Sequence, residues 1–197
     1  MSKILFATSN EHKLKEARAI LPEIKLLSLV EFPQAQQLNP QEIGGTFEEN
    51  AKIKALAYGQ ASQVLTLAED AGLEVMALDN EPGVRSNRWL GGTNEDHYRE
   101  VLRRLKGKMD RRARFVAVIC LHDPQTGQAH CFEGEIKGTI ARSPRGSSGF
   151  GYDPIFIPEG HDQTFGELDP TVKHQLSHRR RALGAFYDWW RANQPTP

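Results

Sequence analysis

Four stretches of the 197-residue chain carry more polar and charged side chains than a turn or a helix face requires. The first is Thr8-Ser9-Asn10-Glu11-His12-Lys13, where an apolar run gives way to a helical pattern. Free N–H groups at a helix start attract phosphate, Lys13 adds positive charge, and Thr8, Ser9 and Asn10 add hydrogen-bonding side chains. The spacing of a Walker A loop is absent, and plain helix capping by Ser9 or Asn10 is the alternative. The second stretch is the pair Glu69-Asp70. Adjacent carboxylates repel unless a cation stands between them, so a divalent ion is implied, with Glu42 and Glu49 as further oxygen ligands. Oxygen-only ligands suit magnesium, and no His/Cys set has zinc spacing. An ordinary acidic hairpin turn is the competing reading.

The third stretch is Ser147-Ser148-Gly149-Phe150-Gly151-Tyr152-Asp153-Pro154. Glycines around Phe150 free the backbone to bring the ring against a flat ligand, and Asp153 offers an acceptor, as a nucleobase site needs. A glycine-rich turn over a core Phe is the alternative. The fourth is Lys173 with Ser177-His178-Arg179-Arg180-Arg181. Basic residues at a helix start oppose the macrodipole, which is tolerable if they hold an anionic or carbonyl-bearing ligand; otherwise they form a solvated face. Between Arg103 and Arg114 lie seven basic residues against Asp110. With no aromatic interleaved before Phe115, that run reads as exposed surface before nucleic-acid contact. A phosphate cradle, a cation site, a base platform and an anion clamp together equip a nucleotide hydrolase.

The elements that must position these groups alternate between strand and helix. Residues 3–8 read as a buried strand, and Leu14, Ala17 and Leu21 recur at helical spacing until Pro22. After an irregular excursion over 31–45, Thr46 and Glu49 form a capping box for a long Ala-rich helix to about Gln63. Residues 64–68 read as a strand, 69–72 as a turn and 73–78 as a returning strand. A helix opens at Thr93 and stops at Gly107. Residues 114–121 form the strongest strand and turn through 123–127 toward a partner near 129–140. A short strand follows at 154–157. Ser177 caps a last helix ending near Asn193, and the tail Gln194–Pro197 should fray. A strand, loop and helix at the start indicate an α/β layer fold.

Composition sets the outer bounds. Lys plus Arg number 25 and Asp plus Glu 25, so zero net charge excludes a generally basic nucleic-acid coat. A chain of this length forms one domain, with two lobes possible, and buries roughly 70% of its unfolded surface without needing disulfides. Cys120 and Cys131 lack CxxC spacing and read as buried free thiols. The apolar run at residues 4–7 is too short for a signal peptide, and no stretch approaches a membrane span. A cytoplasmic protein is expected.

Six motifs in order add to this reading: A-T-S-N-E-H-K (7–13), G-x-T-F-E-E-N-A-x-x-K-A (44–55), A-E-D-A-G-L (68–73), P-G-V-R-S (82–86), G-F-G-Y-D-P-I-F (149–156) and S-H-R (177–179). In these the chain resembles the Ham1/RdgB/ITPA family of noncanonical purine nucleoside triphosphate pyrophosphatases over nearly its whole length. The resemblance implies an elongated mixed β-sheet flanked by helices, one ITPase-like domain over 1–197 whose two lobes surround a central active-site cleft, and a homodimer. It implies hydrolysis of ITP, dITP and XTP to the monophosphate and pyrophosphate with Mg²⁺. No nucleic-acid polymer and no membrane are expected as partners. By matching motif positions, Asp70 becomes the proton acceptor and a metal ligand, with Glu42 a second ligand and Glu69 an additional contributor. Thr8 to Lys13, Lys54 and Lys173 would hold the triphosphate. Phe150, Gly151, Tyr152, Asp153, His178 and Arg179 would form the base pocket.

Two positions depart from the family pattern. Ala71 stands where Ser is frequent, so only a backbone contact to substrate remains there, and Asn87 stands where Ala is common. Two rival readings are a Maf-like pyrophosphatase for pyrimidine triphosphates and a nucleotide-binding sensor without catalysis. The Phe150 and S-H-R motifs favour purines, and a mere binder has no use for a poised carboxylate.

Overall fold

The structure is a computed structural model describing residues 3–193; the expectation for the tail 194–197 lies outside the described residues. Six strands form one sheet in the order β2-β1-β3-β4-β5-β6. Strand β1 (Lys3–Phe6) pairs in parallel with β2 (Lys25–Leu27) on one side and β3 (Thr66–Val75) on the other. A strand with neighbours on both sides and covered faces is apolar throughout, and Ile4, Leu5 and Phe6 are all fully buried. Helix α1 (Glu11–Ile20) links β1 to β2, and the short α2 (Pro33–Gln36) sits inside the 31–45 excursion.

Helix α3 (Phe47–Ser62) begins with the capping box that its sequence announces. The Thr46 hydroxyl accepts from the Glu49 amide at 3.1 Å, and the Glu49 carboxylate accepts from the Thr46 amide at 3.2 Å. After Phe47 and Asn50 its buried positions are small: Ala51, Ala55 and Gly59. A β-carbon at Gly59 would lie 2.5 Å from Cδ2 of His122, so glycine there sets how closely the helix approaches that ring.

Two sequence expectations are corrected here. Residues 69–72 do not turn: β3 runs unbroken from Thr66 to Val75. Ladder pairing in the middle of a sheet outweighs the turn preference of the local Glu-Asp-Ala-Gly, because strand propensity depends on surroundings. Nor are the two cysteines free thiols. Strands β4 (Arg112–His122) and β5 (Ala129–Ile140) are joined by a short loop. The bonds Asp123 N to Gln128 O and Ile140 N to Arg111 O set a register that places Cys120 opposite Cys131. Their Cα atoms are 4.1 Å apart and the sulfurs form a disulfide. Spacing along the chain gave no sign of this, since directly opposed residues in a hairpin can be far apart in sequence.

Helix α4 (Asn94–Arg104) starts on a second capping box, Thr93 with Asp96. Strand β6 (Phe156–Pro158) pairs antiparallel with the end of β5. Helix α5 (Pro170–Leu176) was not foreseen, although Asp169 as cap and Pro170 at the first helical position are its start signals. Helix α6 (His178–Ala192) closes the chain. Among the described residues no helix is long and apolar enough to cross a membrane.

Contacts divide the chain into two units, to which β3, β4 and β5 each contribute residues of both. One comprises the described parts of Met1–Asp70, Ala117–Gly134 and Arg179–Pro197; the other comprises Ala71–Val116 and Glu135–His178. The second has its own core around Leu73, Val101, Phe115, Ile155, Phe156 and Phe165.

Candidate active site

In the first unit, the turn from β1 into α1 is shaped by Asn10. Its Oδ1 accepts from the amides of His12 at 3.0 Å and Lys13 at 3.3 Å, and its own amide donates to Thr8 Oγ1 at 3.1 Å. Capping, the alternative reading, is therefore what Asn10 does. Ser9, Glu11 and His12 are exposed, whereas Lys13 turns inward and is buried.

Asp70, buried in β3, faces α3. Asn50 and Lys54 lie one turn apart on the same face of that helix. Asn50 Nδ2 donates to Asp70 Oδ2 at 3.3 Å, while its Oδ1 accepts from the Gly44 amide at 2.8 Å. Lys54 Nζ donates to Asp70 Oδ1 at 2.8 Å and to Glu42 Oε1 at 2.6 Å. The structure thus gathers Glu42, Lys54 and Asp70, and adds Asn50, which the sequence reading missed. The spacing Asn50 to Lys54 in the E-N-A-x-x-K motif was its available signal.

In this cluster two carboxylates bond to the Lys54 ammonium, and the charge of Lys13 also acts on Asp70. Burial raises the Asp70 pKa above the usual carboxylate value; Lys54 pulls it down, and Glu42's charge pushes it further up. Burial also disfavours the Lys54 charge, but Asp70 and Glu42 outweigh it and hold that pKa above an ordinary lysine. Two carboxylates gathered around one cationic group supply oxygen ligands of the kind a hard dication takes. Among the described residues no three His, Cys, Asp or Glu side chains cluster as ligands, so protein oxygens would supply only part of its shell.

Glu69 is not brought to that cluster. Consecutive strand residues project to opposite faces, so Glu69 points away from Asp70. Its Oε2 accepts from Arg179 Nε at 2.6 Å, and its Oε1 from Arg179 Nη2 at 2.7 Å and Lys13 Nζ at 3.0 Å. Arg179 Nη1 reaches Glu16 on α1. Arg179 is 1% exposed. Burial opposes its charge, but Glu69 and Glu16 prevail and hold its pKa above that of an ordinary arginine. Glu16 was also missed; it sits three residues after Lys13, on the same face of α1.

In the second unit, Asp153 organises the glycine-aromatic loop. Its Oδ2 accepts from the Phe150 amide and from Lys173 Nζ, both at 2.7 Å. The Lys173 ammonium lies 4.9 Å from the centre of the Phe150 ring. Tyr152 donates to the Ser86 carbonyl at 2.8 Å, and burial pushes its hydroxyl pKa well up. The His178 ring stacks on Phe115, centroids 4.8 Å apart. Ala71 and Gly151 are half-buried.

Gly149 makes the Asp153 arrangement possible. Its φ is +78°, and a β-carbon there would lie 2.0 Å from Asp153 Oδ2. Gly149→Ala is expected to cost about 1–3 kcal/mol in backbone strain alone and to displace the carboxylate from the Phe150 amide. A lowered Tm together with a raised KM for nucleotide checks this; an unchanged KM would separate the loop from substrate binding.

The strand-turn-helix at residues 8–13 and the Glu42–Lys54–Asp70 cluster both belong to the first unit of this α/β protein. The family model described as the Ham1 family matches residues 4–189, and the chain belongs to that family. It is 44% identical over 189 residues to the dITP/XTP pyrophosphatase of Gluconobacter oxydans, covering 94% of this chain and 89% of the relative. It is 42% identical over 192 residues to the dITP/XTP pyrophosphatase of Aquifex aeolicus, covering 92% and 93%. Among solved structures, a HAM1 protein from Coxiella burnetii superposes with a TM-score of 0.88 at 38% identity, over 98% of this chain and all of that one.

Proposed function

We propose that this chain hydrolyses noncanonical purine nucleoside triphosphates (ITP, dITP and XTP) between the α and β phosphates, releasing the monophosphate and pyrophosphate. It is a nucleoside triphosphate pyrophosphatase, as its relatives are named. The single observation that carries the mechanism is the buried Asp70 carboxylate, bonded to Lys54 and sharing that lysine with Glu42. Glu42 and Asp70 would hold Mg²⁺, which when bound supplies charge neutralisation at the phosphate oxygens.

The chain's own groups then divide the work. Asp70 accepts the proton of the attacking water, and burial tunes it toward that role. The loop from Thr8 to Lys13, with Lys54 and Lys173, would stabilise charge on the phosphates. Phe150 offers a stacking face and the His178 ring a donor to the purine 6-oxo group, while the Arg179 guanidinium is held by Glu69 and Glu16. Adenine presents an amino group at that position and leaves such donors unmatched, which costs about 1–3 kcal/mol for each buried one. Glu69 serves the ion-pair network rather than the metal in this proposal. The working assembly is a homodimer, checked by sedimentation equilibrium.

A pyrophosphate-release assay across ITP, XTP, ATP, GTP, dTTP and UTP tests the reading. The highest kcat/KM is expected for ITP and XTP. A preference for dTTP or UTP would indicate a pyrimidine enzyme, and tight binding without release would indicate a sensor.

A further inference from the structure

The basic run between Arg103 and Arg114 is not used by the reaction above, yet part of it lines a cavity of about 440 Å³ in the second unit. Five of its lining side chains are cationic (Arg99, Arg103, Lys106, Arg111 and Arg142), and among the described residues no carboxylate lines it. Two of the five are already neutralised along α4: Arg99 by Glu95 at 2.6 Å and Arg103 by Glu100 at 2.6 Å. Among the described residues the other three have no carboxylate within ion-pair distance.

Arg111 is held in place without being neutralised. Its Nε donates to the Ile140 carbonyl at 2.6 Å and its Nη2 to the Ala141 carbonyl at 2.7 Å. Carbonyls orient a guanidinium but bring no compensating charge, and Nη1 is not engaged by either bond. Burial and, after it, the charge of Arg142 lower the Arg111 pKa, so an anion between the two would relieve a real repulsion. A solvated basic face would spread its arginines apart. This one fixes a half-buried guanidinium beside a second arginine, over a floor that includes Leu105.

We propose that this cavity is a second anion site that takes a diphosphate group, either free pyrophosphate or the tail of a nucleoside diphosphate. Guanidinium forks match phosphoryl oxygens bidentately, and Arg111, Arg142 and Lys106 provide enough charge for two linked phosphoryl groups. The site lies outside every group assigned to hydrolysis, so the proposal stands apart from the proposed reaction.

Calorimetric titration of the full-length chain in metal-free buffer, with pyrophosphate, ADP and orthophosphate in separate arms, tests it. Arg142→Glu combined with Lys106→Glu is expected to weaken one class of diphosphate binding at least tenfold while ITP hydrolysis stays within twofold. Lys108→Glu, which reverses a nearby charge outside the cavity, should leave that binding within twofold. Tighter binding of pyrophosphate than of ADP would assign the free ion, and the reverse a nucleotide tail; either supports the site. Isotherms unchanged in the double variant, an equal loss in Lys108→Glu, or orthophosphate binding as tightly as pyrophosphate would overturn it.

Discussion

Asp70→Asn is expected to lower kcat by about 10²–10⁴-fold at saturating ITP and magnesium, the range for losing a positioned general base. The same change should alter how stability depends on pH, and that second readout does not involve turnover. In the folded chain the Asp70 pKa lies above its ordinary value of 3.8, chiefly through burial. The folded state therefore binds this proton more tightly than the unfolded state. Below pH 3.8 the residue is protonated in both states and carries no penalty. As pH rises through 3.8 toward the folded value the wild type loses stability, and the loss is complete above it. Asparagine cannot ionise, so the Tm of the variant minus that of the wild type should grow more positive from pH 3 to pH 7. A constant offset from altered hydrogen bonding to Asn50 and Lys54 leaves this trend untouched. A difference moving the other way would mean a carboxylate stabilised as the anion, ill suited to act as a base. A near wild-type rate would remove Asp70 from the chemistry altogether. Lys54 works in the opposite range: its raised pKa means its pairing contributes below 10.5 and is lost only as pH climbs through the folded value.

Much of this site was legible because its signals are local. The capping box at Thr46 and Glu49 fixes where α3 starts, and once the helix is phased, Lys54 must share a face with Asn50. The glycine at 149, next to Phe150 and four residues before Asp153, signalled a backbone needing glycine's freedom, and its φ is +78°. What stayed hidden depends on contacts distant in sequence. Glu69-Asp70-Ala71-Gly72 has the composition of a turn, yet the β3 ladder holds it extended and sends the two carboxylates to opposite faces. Glu16 gave no hint of a partner 163 residues away. The disulfide likewise follows from hairpin register, which no spacing rule reads from sequence.

That opposite-face geometry gives Arg179 the largest expected effect on stability. Arg179→Ala would leave Glu16 and Glu69 buried and deprived of the guanidinium they share, with Lys13 still paired to Glu69. An intact buried ion pair adds little net stability, because desolvating the charges offsets their attraction, but removing one partner strands the other and costs about 3–5 kcal/mol. For a chain of this size each kcal/mol moves Tm by about 2–4 °C, so a fall on the order of 10 °C is expected in thermal unfolding. Arg179→Lys keeps a charge but not the fork, and should fall between the two. Adding Glu16→Gln to Arg179→Ala should recover part of the loss, since it removes one stranded charge; strictly additive effects would show that the residues do not act as a unit. The same network holds Lys13 against Glu69, so unseating Arg179 should also raise KM for every triphosphate alike. Selectivity for the purine 6-oxo group is better read from His178→Gln, whose ring stacks on Phe115. A lower ITP-over-ATP ratio in kcat/KM is expected there, and an unchanged ratio would move base recognition to the Phe150 loop.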